Sequence, residues 1–228
     1  MDSVKMVINE AQEKLKCYLK RPGNILYSAS DTLRNPNGLY VLGINPTIGA
    51  TEQISNITLE QRLAELPCKK DNDYKETWNN AKSGGHPLQT RMRYVIENLG
   101  FKLEETCASN LIFFQSKADD IQREWADICW PVHAKILQVI RPRIILACGN
   151  ANGSPWKSPY AYIKSLKDLN ARDEWQGKSG HGHYRLKKCM LDIDGRKNVL
   201  LVGLPHLSWY NPDKSELKTF LKCAKHPI

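Results

Sequence analysis

The 228 residues carry 33 Lys and Arg against 24 Asp and Glu, a formal net charge of +9, with 41% hydrophobic and 25% charged residues. This composition excludes a low-complexity or disordered chain and suits one α/β-sized domain over residues 1–228. No apolar run reaches the roughly 18 residues that a membrane helix needs, and the first residues, MDSVKMVINEAQEKLK, lack the apolar centre of a signal peptide. The seven cysteines form no C-x-x-C pair, which disfavours zinc, iron–sulfur and disulfide readings and predicts a reducing, cytoplasmic setting. The positive balance is the footprint expected of a polyanion binder, although many basic proteins bind no nucleic acid.

In chain order, Val4, Ile8, Ala11, Leu15 and Leu19 recur at helical spacing and predict an amphipathic helix that ends before the breaker cluster RPGN. The apolar run LYVLGI predicts a buried strand that breaks at Asn45-Pro46. Thr58 and Gln61 form a capping box before the short helix LEQRLAEL. Residues 67–87 are polar and Gly-rich and read as a mobile surface loop. Met92, Val95, Ile96 and Leu99 mark another helix, closed by Gly100. ASNLIFF reads as a second strand, and residues 119–140 as a long helix interrupted or kinked near Pro131. RPRIILACGN is a third strand. HYRLKKCMLDI and KNVLLVGL flank Asp194-Gly195 as an antiparallel pair, and Asp213 and Glu216 cap a C-terminal helix. The alternation predicts an α/β fold, a three-layer α/β/α sandwich around a central, mostly parallel, four-stranded sheet.

In such a fold, ligands sit beyond the carboxyl ends of the strands. The exits here are NPTIG, FQSK, GNANG and PHLSWYNP. Asn45-Pro46 at the first exit is either loop punctuation or the floor of an active site. His206 is the only histidine at a predicted exit. Trp209 and Tyr210 beside it are either core or lid residues, or aromatics for base stacking. His181 and His183 flank a glycine with no further ligand at metal-binding spacing, so no metal and no cofactor is expected.

Four pieces in this order resemble the uracil-DNA glycosylase superfamily. Gly43-Ile44-Asn45-Pro46 is similar to its first active-site motif, SNLIFF to its second strand, IRPRIILACGNA to a third strand, and His206-Leu207-Ser208 to its final motif. The resemblance implies a monofunctional glycosylase that flips a pyrimidine out of DNA and hydrolyses its N-glycosidic bond. It implies catalytic roles for Asn45, which would orient the water, and His206, which would donate to the pyrimidine O2; a satisfied structural histidine is the alternative. It further implies base-binding positions at Ile44, Thr47, Leu88 and Asn110, the last with strand-end capping as its alternative. Ser208, Trp209, Tyr210 and Gly149 would face DNA. The partner would be DNA, single- or double-stranded, and the protein a monomer.

The chain departs from that pattern in ways that bear on the substrate. Thr47 stands where the uracil-strict branch has a tyrosine against carbon 5, and it leaves more room there. The stacking aromatic has no counterpart near GATEQ, and the final motif lacks its proline. These differences favour a 5-substituted cytosine, as in the branch that resembles this organisation and acts on phage DNA, narrowly over uracil. The 67–87 loop could line an outlet for the substituent. Asp127 and Glu52 are conceivable acids, with surface roles as the alternative. A non-catalytic DNA-binding protein is one rival reading. A Rossmann-type small-molecule enzyme is another, disfavoured because neither G-x-G-x-x-G nor G-x-x-x-x-G-K-[ST] occurs.

Overall fold

In the computed structural model, the described residues are 2–46, 56–77, 82–116, 123–149, 158–180, 182, 184–213 and 215–225. The chain is α/β, with one mixed six-stranded sheet in the order β2-β1-β3-β6-β5-β4. The strands are β1 (Leu39–Gly43), β2 (Cys107–Asn110), β3 (Ile144–Cys148), β4 (Arg172–Lys178), β5 (Arg185–Ile193) and β6 (Arg196–Leu204). Six α-helices lie among the described residues: α1 (Ser3–Lys14), α2 (Leu59–Glu65), α3 (Pro87–Asn98), α4 (Arg123–Ile140), α5 (Pro159–Ser165) and α6 (Ser215–Lys225).

The four-stranded, mostly parallel sheet expected from the sequence is therefore corrected. β2, β1, β3 and β6 are parallel, but β5 and β4 extend the sheet antiparallel beyond β6. The hairpin of β5 and β6 was legible from Asp194-Gly195, whose φ values of 46° and 73° suit a tight turn that favours Asp and Gly. β4 was not. Its sequence, RDEWQGK, is charged and glycine-bearing because it is an edge strand, mostly exposed, with no core-facing alternation to read.

The continuous apolar runs of β1, β3 and β6 are explained by burial on both faces. Tyr40, Leu42, Ile145, Ala147, Val199 and Leu201 enter one core with α1 and α4, while Leu39, Val41, Ile144, Leu146, Leu200 and Val202 enter the other with α3 and α6. α4 runs unbroken through Pro131. Buried Ala126 and Cys129 precede the proline and Val132, His133, Ile136 and Leu137 follow it, so one apolar face continues across the lost hydrogen bond and outweighs it. The 67–87 segment is also not simply a surface loop. Asn72, Asp73 and Tyr74 are buried, and the Gln89 side chain donates to the Asp73 and Glu76 carbonyls at 2.9 Å each. Polar residues are buried here because partners satisfy them, which composition cannot reveal.

One buried network ties the sheet to α4. His133 is fully buried, and its Nε2 lies 3.0 Å from the Leu111 carbonyl. A carbonyl can only accept, so Nε2 carries the proton and Nδ1 accepts from the Tyr40 hydroxyl at 2.7 Å. Burial pushes the imidazole down to about 4, so it is neutral near neutral pH.

Candidate active site

From β1 the chain passes α2, on the α1 and α4 face, and α3, on the other face, to β2 on one side of β1, and then returns through α4 to β3 on the other side. β1 and β3 are thus adjacent parallel strands whose connections diverge, and the crevice at their carboxyl ends is the place where α/β sheets bind ligands. Ile44, Asn45 and Gly149 emerge there, with Asn110 on one side and His206 on the other.

The β1 exit is held tightly. Leu111 N–H donates to the Gly43 carbonyl and Ile112 N–H to the Ile44 carbonyl, both at 2.9 Å, and Ser116 N–H donates to the Pro46 carbonyl at 3.3 Å. Asn45 is 9% exposed. Its amide nitrogen donates to the Ser116 hydroxyl at 2.9 Å and to the Ser116 carbonyl at 3.3 Å. The carbonyl partner fixes which branch of the amide is nitrogen, so Oδ1 occupies the other branch as an acceptor. An acceptor that cannot titrate can hold a water's hydrogen but cannot take its proton.

Asn110 lies opposite Gly43 in the parallel register. Its side chain crosses over that glycine, where an added Cβ would sit 2.1 Å from Oδ1. Gly149 has φ 107°, and a Cβ there would meet the Ile44 side chain at 2.7 Å and lie 3.8 Å from His206 Cδ2. Ile44, Gly149 and His206 are therefore in one place, and the glycine is required both by its backbone conformation and by the space.

His206 is exposed at the rim. Its Nδ1 accepts from the Ser208 N–H at 3.2 Å, so the proton of the neutral ring resides on Nε2. Desolvation by the surrounding rim holds the imidazole below its ordinary value and favours the neutral form. The loop that carries it is anchored by Arg91 of α3, whose Nη1 donates to the Leu207 and Ser208 carbonyls at 2.8 Å each.

The structure sorts the remaining candidates. Trp209 is 80% exposed, whereas Tyr210 is 1% exposed and donates its hydroxyl to the Ser179 carbonyl at 2.9 Å. Tyr210 as a DNA-facing residue is thus corrected: it is a core residue that secures the loop, and only Trp209 of the pair projects outward. Leu88 packs at the start of α3 against the core. Ser208 is half-buried beside His206. Asp127 accepts from the Tyr162 hydroxyl at 2.7 Å and pairs with Arg123, a structural role on α4. Thr47, Glu52, His181 and His183 lie outside the described residues. Arg91 and Ser116 were not singled out in the sequence; only FQSK at the second strand exit hinted at Ser116. Among the described residues no His, Cys, Asp and Glu group could hold a metal ion, and no helix is long and apolar enough to cross a membrane.

Two glycines make a contrasting pair. At Gly23 a Cβ would lie 2.2 Å from the backbone oxygen of Phe113, which cannot move without shifting the chain, whereas at Gly43 it meets a side chain that can rotate. Gly23→Ala is expected to lower unfolding stability by about 1–3 kcal/mol. Gly43→Ala is expected to lose less than about 1 kcal/mol while turning Asn110 out of place. Chemical denaturation of both variants checks this, and equal losses would refute the assignment.

No family model matches the chain, and no curated protein matches it.

Proposed function

We propose that this protein is a monofunctional DNA glycosylase that flips out a modified pyrimidine and hydrolyses its N-glycosidic bond. The observation that carries the reading is the pairing of two oriented groups on one rim: an untitratable acceptor at Asn45 and an Nε2–H donor at His206. Glycosidic hydrolysis needs a water aimed at the anomeric carbon and a donor for the negative charge that gathers on the departing base. Asn45 Oδ1 holds the water, and His206 donates to the pyrimidine O2. Asn110, seated over Gly43, reads the base edge, and Trp209 fills the gap in the stack. With no strong general base at Asn45, the larger share of the acceleration falls to leaving-group stabilisation and positioning. The reading rests on this rim and not on the sheet as a whole, since β5 and β4 lie outside the four-stranded sheet that the resemblance implies.

A 5-substituted cytosine, hydroxymethylated or glucosylated as in phage DNA, ranks narrowly above uracil as substrate, which would make the protein an antiviral defence enzyme. The test is incubation with oligonucleotides carrying uracil, hydroxymethylcytosine or glucosylated hydroxymethylcytosine, followed by alkaline cleavage of abasic sites. Cleavage of either modified cytosine is the expected result. Activity on uracil alone would replace defence by base-excision repair, and inertness on all three would remove the glycosylase reading.

A further inference from the structure

The β4–β5 hairpin carries a charge pattern that the site chemistry does not use. From Trp175 to Leu191 the chain holds Lys178, Arg185, Lys187 and Lys188 and no Asp or Glu. This stretch is the half of the hairpin at the site's end of the sheet, because β5 is antiparallel to β6 and Lys187 pairs with Gly203 near the β6 exit. The far half is mixed in charge, with Arg172, Asp173, Asp192, Asp194, Arg196 and Lys197; there Arg172 pairs with Asp192 at 2.8 Å.

Three of the four cations share one face. Lys178 is the cross-strand partner of Arg185, direct partners project to the same side, and Lys187 is two residues further along β5. Lys187 lies over the Tyr160 ring of α5, which places this face on the α5 side of the sheet. Glu174, beside it on β4, is engaged by Lys164 at 2.6 Å, and the Glu216 carboxylate of α6 lies against Gly180, where an added Cβ would sit 2.6 Å from it. Neither Lys178 nor Lys187 forms an ion pair with a described carboxylate. The face is also joined to the candidate site. The Ser179 hydroxyl donates to the Tyr184 carbonyl at 2.8 Å, and the Ser179 carbonyl accepts from Tyr210, four residues after His206.

We infer that the α5-facing side of this half-hairpin, Lys178, Arg185 and Lys187, is a phosphate track for the DNA strand that adjoins the flipped nucleotide. The inference rests on DNA as the partner proposed above. Its chemistry is neutralisation of phosphates by a run of cations uninterrupted by carboxylates, a sequence-independent interaction that positions the duplex and does not read it. The added strands β4 and β5 thereby acquire a purpose: they lengthen the sheet and carry the track beyond the catalytic rim.

The test is the affinity of the full chain for a short, undamaged, fluorescein-labelled duplex, measured as a function of salt. K178Q/K187Q is expected to reduce the slope of log K against log salt by roughly 0.9 for each phosphate that is no longer neutralised, with an unchanged melting temperature. The control K102Q/K197Q removes the same charge at the opposite end of the sheet and is expected to leave the slope unaltered. Equal changes in both double variants, or none in either, overturn the track. Excision of a modified base by a chain whose slope ignores K178Q/K187Q would sink the track and keep the glycosylase. The predicted slope change without excision of any base would do the reverse.

Discussion

His206→Ala is expected to slow abasic-site formation by about 10²–10³-fold, the effect of removing one oriented donor from a developing anion, while binding of an undamaged duplex persists. The reason is geometric. Ser208 N–H occupies Nδ1, so the imidazole has one polar atom left to offer and its polarity is defined. Because desolvation holds the group below its ordinary value of 6.5, the neutral donor is the resident form, and the rate is expected to be flat with pH above that value. Asn45→Ala removes the water's acceptor and should also abolish most excision, leaving the Ser116 hydroxyl without the amide it now receives. Single-turnover kinetics with gel-resolved abasic product check both variants. Loss of DNA binding in parallel with activity would point instead to a binding module, or to a loop that has collapsed.

The second large effect concerns acid stability. His133 is pushed from 6.5 down to about 4 by burial, so in acid the unfolded chain takes up a proton that the folded chain refuses. Stability from this group is fully present above pH 6.5 and is lost as pH falls toward 4, by about 3 kcal/mol at 1.36 kcal/mol per unit. Asp73 acts oppositely. Burial raises its carboxyl to about 6 from 3.8 against the pull of Lys69, so the folded chain protonates first as pH falls, and stability from this group is regained between 6 and 3.8. Its magnitude is also about 3 kcal/mol. The wild-type curve should hide both contributions. The stability of wild type minus that of His133→Gln is expected to shrink by about 3 kcal/mol between pH 7 and pH 4, and the difference against Asp73→Asn to grow over the same range. Urea denaturation at stepped pH measures each. Two differences of the same sign would contradict the assignment.

Much of the frame was legible because the signals were local. The Thr58–Gln61 capping box forms as read, with both reciprocal hydrogen bonds present. Gly100 closes α3 at φ 84°. The apolar runs of β1 and β3 declare burial on both faces through composition alone. What stayed hidden depended on partners distant in sequence. α5 is only seven residues long, and β4 is written in residues suited to an edge. Asn72 and Asp73 look like loop residues until Leu103 and Asn24 are brought to them.

The candidate site divides in the same way. Asn45, Asn110 and His206 could be picked out because each is a chemically distinctive side chain at the end of a strand, where hydrophobic patterning stops. Their residue types also determined the possible chemistry, since an amide cannot titrate and an imidazole can donate. The orientation of these groups was decided only by tertiary structure. Ser116 turns the Asn45 amide from 71 positions away, and Arg91 holds the His206 loop from 116 and 117 positions away. Burial took Tyr210 into the core and left Trp209 outside, although the two are neighbours in sequence and similar in composition. Hydrogen-bond direction and solvent exposure are properties of a neighbourhood assembled from distant chain segments; residue type and hydrophobic period are properties of the chain itself.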